Sequence, residues 1–169
     1  MSSHDYPKII ARSNPCIESL CNALLQEIVV QVVDPEFNAL FLKTDKGVFA
    51  IQGTIGSEIV EIVESQNEFP AITTGEGSFI SRHLPFERFI GHQIESIREI
   101  GEAWNGHGYE ISFSNIFDST MIVQSIYSPP KPDGLEDCLR LGVASYENIQ
   151  KPNNSQHRIP EPPRSYDSL

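Results

Sequence analysis

From Tyr109 to Ser114 the chain alternates apolar and polar residues without a break: Tyr109, Ile111 and Phe113 against Glu110, Ser112 and Ser114. Successive side chains of a β-strand point to opposite faces, so this pattern demands a strand buried on one face and solvated on the other. Such a strand cannot stand alone. A lone strand or hairpin buries too little apolar surface, so the chain must supply further strands and a cover for the apolar face.

Other segments supply them. Ile28-Val29-Val30-Gln31-Val32-Val33 is β-branched and does not alternate, which predicts a strand covered on much of both faces. Asp34-Pro35-Glu36 turns the chain, and Leu40 and Leu42 share one face of the next strand. Asp45-Lys46-Gly47 predicts a hairpin turn into the strand Val48-Phe49-Ala50-Ile51. Between Ser57 and Glu68 the glutamates recur every three residues around Ile59, Val60, Ile62 and Val63. The β-branched residues lose rotamer freedom in a helix, so a continuing strand is expected there.

A loop follows over 67–78, and Pro85-Phe86-Glu87-Arg88-Phe89-Ile90 predicts a short helical turn. Ile94, Ile97 and Ile100 mark an apolar run. Asn105-Gly106 predicts a type I′ hairpin turn, and Asp118-Ser119-Thr120 a second turn before the strand Met121–Tyr127. A helix is expected to start at Asn14-Pro15, where Asn caps and Pro fits the first helical position; Ile17, Leu20, Cys21 and Leu24 form its apolar face. Leu135, Cys138, Leu139 and Val143 predict a short closing helix. The expected fold is α+β, mainly antiparallel sheet, built from two related three-stranded meanders over 14–66 and 79–127, each preceded by a short helix. One domain over 14–148 would then lie between a flexible N-terminus, 1–13, and a flexible Pro-rich tail, 149–169.

Charge narrows the partner class. The formal net charge of -11 repels phosphate backbones, which disfavours nucleic acid and favours a basic protein partner. No apolar run approaches the length of about 18 residues that suggests a membrane span. The first residues carry no basic segment followed by an apolar one, and the three cysteines Cys16, Cys21 and Cys138 show no disulfide framework. A cytoplasmic location is expected on both grounds.

No catalytic signature, phosphate loop or metal cassette is visible, so no cofactor is expected. The acidic run Glu58, Glu61, Glu64 and Glu68 is the candidate docking surface, with charge that would raise the association rate with a basic partner. Trp104, the single tryptophan, and its neighbour Tyr109 are candidate interface anchors. The leading expectation is therefore a non-catalytic acidic protein-binding module, of the kind an immunity protein or inhibitor represents. Two alternatives stand beside it: a small enzyme using His83, His92 and His107 with acidic neighbours, and an assembly subunit that forms a homodimer through a sheet edge.

Overall fold

The β-branched segments become strands, and the strands organise everything else. The computed structural model describes residues 6–33, 35–54, 59–102, 105–126 and 138–145. Over those residues a helix, α1 (Tyr6–Leu20), leads into β1 (Leu25–Val33), β2 (Glu36–Thr44), β3 (Gly47–Gly53), β4 (Val60–Glu64) and β5 (Ser78–Ser81). A single 3-10 turn (Leu84–Phe89) precedes β6 (Ile94–Glu102), β7 (Asn105–Phe113), β8 (Ile116–Ser125) and β9 (Leu139–Ser145). Every strand pairing is antiparallel.

Strands consecutive in sequence pair from β1 to β4 and again from β6 to β9, while β5 returns to the free side of β1. Two seams join the halves. Phe37 at the start of β2 pairs with Leu139 of β9. Just before β1, Leu24 bridges Gln93, with Asn22 N–H donating to Ile94 O and Ile94 N–H to Ala23 O, both at 2.8 Å. Closed at these points, the sheet curls into a half-barrel whose inner faces share one core. That core takes Ile28 and Val30 from β1, Leu40 and Leu42 from β2, Phe49 and Ile51 from β3, Ile111 and Phe113 from β7, and Met121 and Val123 from β8. Phe86 and Phe89 of the 3-10 turn plug it, with Phe89 stacked on Phe113 at 4.6 Å between ring centroids. Each such side chain contributes about 1.5–3 kcal/mol by leaving water.

The structure corrects four expectations. The helix begins at Tyr6 rather than Asn14 and runs through Pro15. A proline inside a helix costs about 3 kcal/mol in lost hydrogen bonding and steric clash. Packing offsets it here: Ile9, Ser13 and Leu20, at helical spacing, are all buried, and the helix lies along β4. The described part of the expected flexible N-terminus is thus helical.

The expected closing helix is instead β9, because Leu139, Leu141 and Val143 pair across from Ser125, Val123 and Met121 of β8. Asn105-Gly106 does not form the hairpin turn. These residues open β7, and Gly106, at φ 68°, shares Glu102 as partner with Asn105 in a bulge. Asp118-Ser119-Thr120 is not a turn either. The chain reverses four residues earlier, at Ser114-Asn115, where Asn115 takes φ 66°. With β4 in the first half and β9 in the second, each run of consecutively paired strands holds four rather than three, and β5 adds a fifth strand to the first half. The expected Pro-rich tail, 149–169, lies outside the described residues. Among the described residues no helix is long and apolar enough to cross a membrane.

Candidate functional site

Two features of the fold carry chemistry: a cleft on the outer face of the first half-sheet, and a buried polar junction where α1, β4, β6 and β7 meet.

The cleft follows from β1. Its side chains Ile28, Val30 and Val32 enter the core, and alternation sends Glu27 and Val29 to the other face. Yet Val29 is as buried as a core residue, because the segment 68–72 folds over it. Between that segment, the strands and the 3-10 turn lies a cleft of about 1090 Å³. Val29, Val48, Phe69, Ile72 and Ile90 line it with apolar surface, and Glu27, Glu68 and Glu87 with carboxylates. Lys43 sits 3.5 Å from Glu27 across the β1–β2 pair, and Arg82 lies 3.9 Å from Glu87. Both pairs are well exposed, so each is worth little to stability.

The junction is built on an edge strand. Among the described residues β4 pairs with β3 on one side only, leaving alternate backbone N–H groups on the other side without strand partners. Side chains take them up. Val60 N–H donates to His107 Nδ1 at 2.9 Å, and Ile62 N–H to Ser13 Oγ at 3.1 Å. Glu64 N–H faces the Cys16 sulfur. Ser13 and Cys16 are one helical turn apart, so a single face of α1 serves two of the three. His107 in turn donates from Nε2 to Glu99 Oε1 at 3.0 Å, and its ring meets Tyr109 edge-on.

Burial sets the protonation of this junction. It pushes His107 below the ordinary histidine value, although the Glu99 carboxylate pulls the other way. Burial raises the Cys16 thiol against the opposing Glu64 N–H. It also drives the Tyr109 hydroxyl up to about 12, with Ser13 easing it slightly. That hydroxyl lies beside Ser13 without a well-formed hydrogen bond.

The residues named from sequence fall in different places. Glu68 lines the cleft. Glu61 lies on β4 with its carboxylate held by Gln52 at 3.0 Å, while Glu64 is an odd number of residues away and points to the opposite face. The acidic run therefore does not form one surface, because a three-residue repeat alternates faces on a strand. Tyr109, expected at an interface, is 1 % exposed and belongs to the core. Glu58 and Trp104 lie outside the described residues.

The histidines each take a separate structural partner. His83 packs between the rings of Phe37 and Phe86, where burial lowers its pKa. The His92 ring bonds Ser114 O. His107 is locked in the junction. Among the described residues no group of three or more His, Cys, Asp or Glu is placed to hold a metal ion.

No family model, curated protein or solved structure matches this chain. Its chemistry must therefore be read from its own residues. Sequence reasoning missed both features, for different reasons. The junction had a signal: His107 is in phase with Tyr109, Ile111 and Phe113, so extending the alternation back by one step places it on the inner face. The cleft had none, because it arises from a loop crossing strands that are distant in sequence.

Proposed function

We propose that the chain is a non-catalytic protein-binding module that receives a basic segment of a partner in the cleft between β1–β3 and the 68–72 segment. One observation carries this reading: an apolar floor ringed by three carboxylates and two bases, in a chain of net charge -11. The cleft volume of about 1090 Å³ is at the upper end for small-molecule pockets and suits an extended peptide. Apolar side chains of the partner would seat on Phe69, Ile72 and Ile90, and its basic groups would meet Glu68 and the rim pairs. Charge of this kind mainly raises the association rate, and the apolar anchors set the residence time. An immunity protein or inhibitor neutralising a basic target is the role this chemistry fits by analogy. A cytoplasmic setting belongs to the same proposal and rests on the odd cysteine count.

The enzyme alternative draws less support: His83 packs between Phe37 and Phe86, His92 bonds Ser114 O, and His107, although paired with the Glu99 carboxylate, is fully buried. The homodimer alternative has one observation in its favour. Beyond the seam at Ile94, β6 pairs only with β7 among the described residues. However, Glu95, Arg98, Glu99 and Glu102 stud that strand, and charges on an edge oppose strand addition. A duplication of the two halves remains a proposal, supported by the matching order of helical segment and four antiparallel strands.

The test uses two labelled peptide sets, one alternating lysine with leucine or phenylalanine, the other with glutamate in place of lysine. The wild-type chain should bind the basic set, more weakly as salt rises, and Glu68→Lys together with Ile72→Arg, both at exposed positions, should cut affinity by about tenfold or more. Equal binding of both sets, or affinity untouched by the double substitution, would remove the cleft as the docking surface.

A further inference from the structure

We propose that His107 is a pH-operated latch: neutral, it holds the edge strand β4 against β7, and protonated, it lets that edge go.

The argument begins with what a backbone amide can do. Val60 N–H is a donor and nothing else, and it points at His107 Nδ1 from 2.9 Å. Nδ1 must therefore present its lone pair, which places the ring proton on Nε2, where it is donated to Glu99. The tautomer is imposed by a group that cannot change its role. A second proton can enter the ring only at Nδ1. It would set two donors head to head across a hydrogen-bond distance, with no room for water beside a side chain that is 0 % exposed. The imidazolium and the Val60 bond exclude one another.

The bond matters because of where it lies. Of the three side chains that serve the β4 edge, Ser13 does not titrate and the Cys16 thiol is pushed up by burial, away from neutrality. His107 is the member that changes state on the acid side of neutral. It also comes from a different element: Ser13 and Cys16 tie β4 to α1, whereas His107 ties β4 across to the second half-sheet. Losing it would separate β4 and α1 from β7 while leaving the β6–β9 ladder intact.

The surroundings decide how readily the proton enters. β6 contributes the Glu99 carboxylate, which favours the imidazolium. β4 contributes Glu61, which acts on Tyr109 next to the ring, and β7 contributes Tyr109 itself, protonated throughout the range. α1 offers the neutral Ser13 and Cys16, and β8 the neutral Gln124, which is bonded to Gly106 O. Burial outweighs Glu99, so the closed form holds the proton less tightly than an open one. A depressed folded-state value means that the stabilisation is complete above the open-state value of about 6.5 and is lost as pH falls from there toward the folded value. The latch therefore loosens in mildly acid conditions.

Amide hydrogen exchange resolved by residue tests this on the intact chain at about pH 7.5, 6.5 and 5.5, each rate normalised to its intrinsic chemical rate. Protection of Val60 should fall across the series, by up to about tenfold, while Ile122 and Val123 of the β7–β9 ladder keep theirs. In His107→Asn the side-chain oxygen takes the place of Nδ1 as acceptor and gains no proton, so Val60 protection should no longer depend on pH. Constant Val60 protection in the wild type, or a fall shared equally by Ile122 and Val123 or by the variant, overturns the latch. Should the variant fail to fold, nitrogen shifts of the wild-type ring serve instead. The Nε2–H tautomer is expected at pH 7.5, and a proton on Nδ1 there overturns the proposal.

Discussion

Removing one oxygen atom from α1 should destabilise the protein more than its size suggests. Ser13 is fully buried, and its Oγ accepts the N–H of Ile62, a residue that is also fully buried. Ser13→Ala keeps the Cβ and the helix and deletes only that acceptor. The Ile62 amide then has no strand partner on that side, since β3 occupies the other, and no water to replace the hydroxyl. A buried donor left without an acceptor costs about 1–3 kcal/mol. Alanine recovers a few tenths, up to about 0.5 kcal/mol, as the better helix former. The net loss is about 0.5–2.5 kcal/mol, a fall in melting midpoint of about 1–10 °C for a chain of this length. The control is Ser19→Ala on the same helix, where the side chain is exposed. There only the helix preference acts, and the midpoint should hold or rise slightly. Both variants are measured by thermal and urea denaturation at about pH 7.5, where His107 is neutral. Equal midpoints for the two variants would refute the idea that side chains of α1 satisfy the β4 edge.

Gly108→Ala should be the most damaging substitution in the sheet, because the added Cβ would sit 2.0 Å from Val123 O and 2.6 Å from Gln124 Cα, both backbone atoms that no rotamer change can move. We expect a loss of about 3 kcal/mol or failure to fold, while Gly142→Ala, which meets nothing within 4 Å, should melt within about 0.5 kcal/mol of the wild type. Tyr109→Phe removes a buried hydroxyl that makes no well-formed hydrogen bond and should leave stability unchanged or raise it by up to about 1 kcal/mol in urea titrations; a loss above about 1 kcal/mol would mean that Ser13 holds that hydroxyl.

Alternation and β-branching settled from sequence that this chain folds around antiparallel strands. Both signals are local: they follow from side chains pointing to opposite faces and from rotamer loss in a helix, and β1, β3, β4 and β7 lie where those rules place them. Local rules failed where a partner distant in sequence decided the outcome. Leu139, Leu141 and Val143 read as readily as part of a helix as of a strand, and only pairing with β8 makes them β9. Pro15 reads as a helix start, and only burial of Ile9 and Ser13 beside β4 carries the helix through it. Asn105-Gly106 has the right residues for a turn, yet the register with β6 uses the glycine in a bulge.

The sites divide in the same way. Net charge is a property of composition and was legible at once, but where carboxylates gather is a property of the fold. A run of glutamates three apart is one surface on a helix and two on a strand, so Glu61 and Glu64 part while Glu68 joins Glu27 and Glu87, which no sequence spacing connects to it. His107 shows the limit most clearly. The period of two places it inside, but that its acceptor nitrogen meets the amide of Val60 depends on the inner face of β7 being brought against the edge of β4. That contact joins residues 47 positions apart in the chain, and it exists only because the curled sheet brings them together.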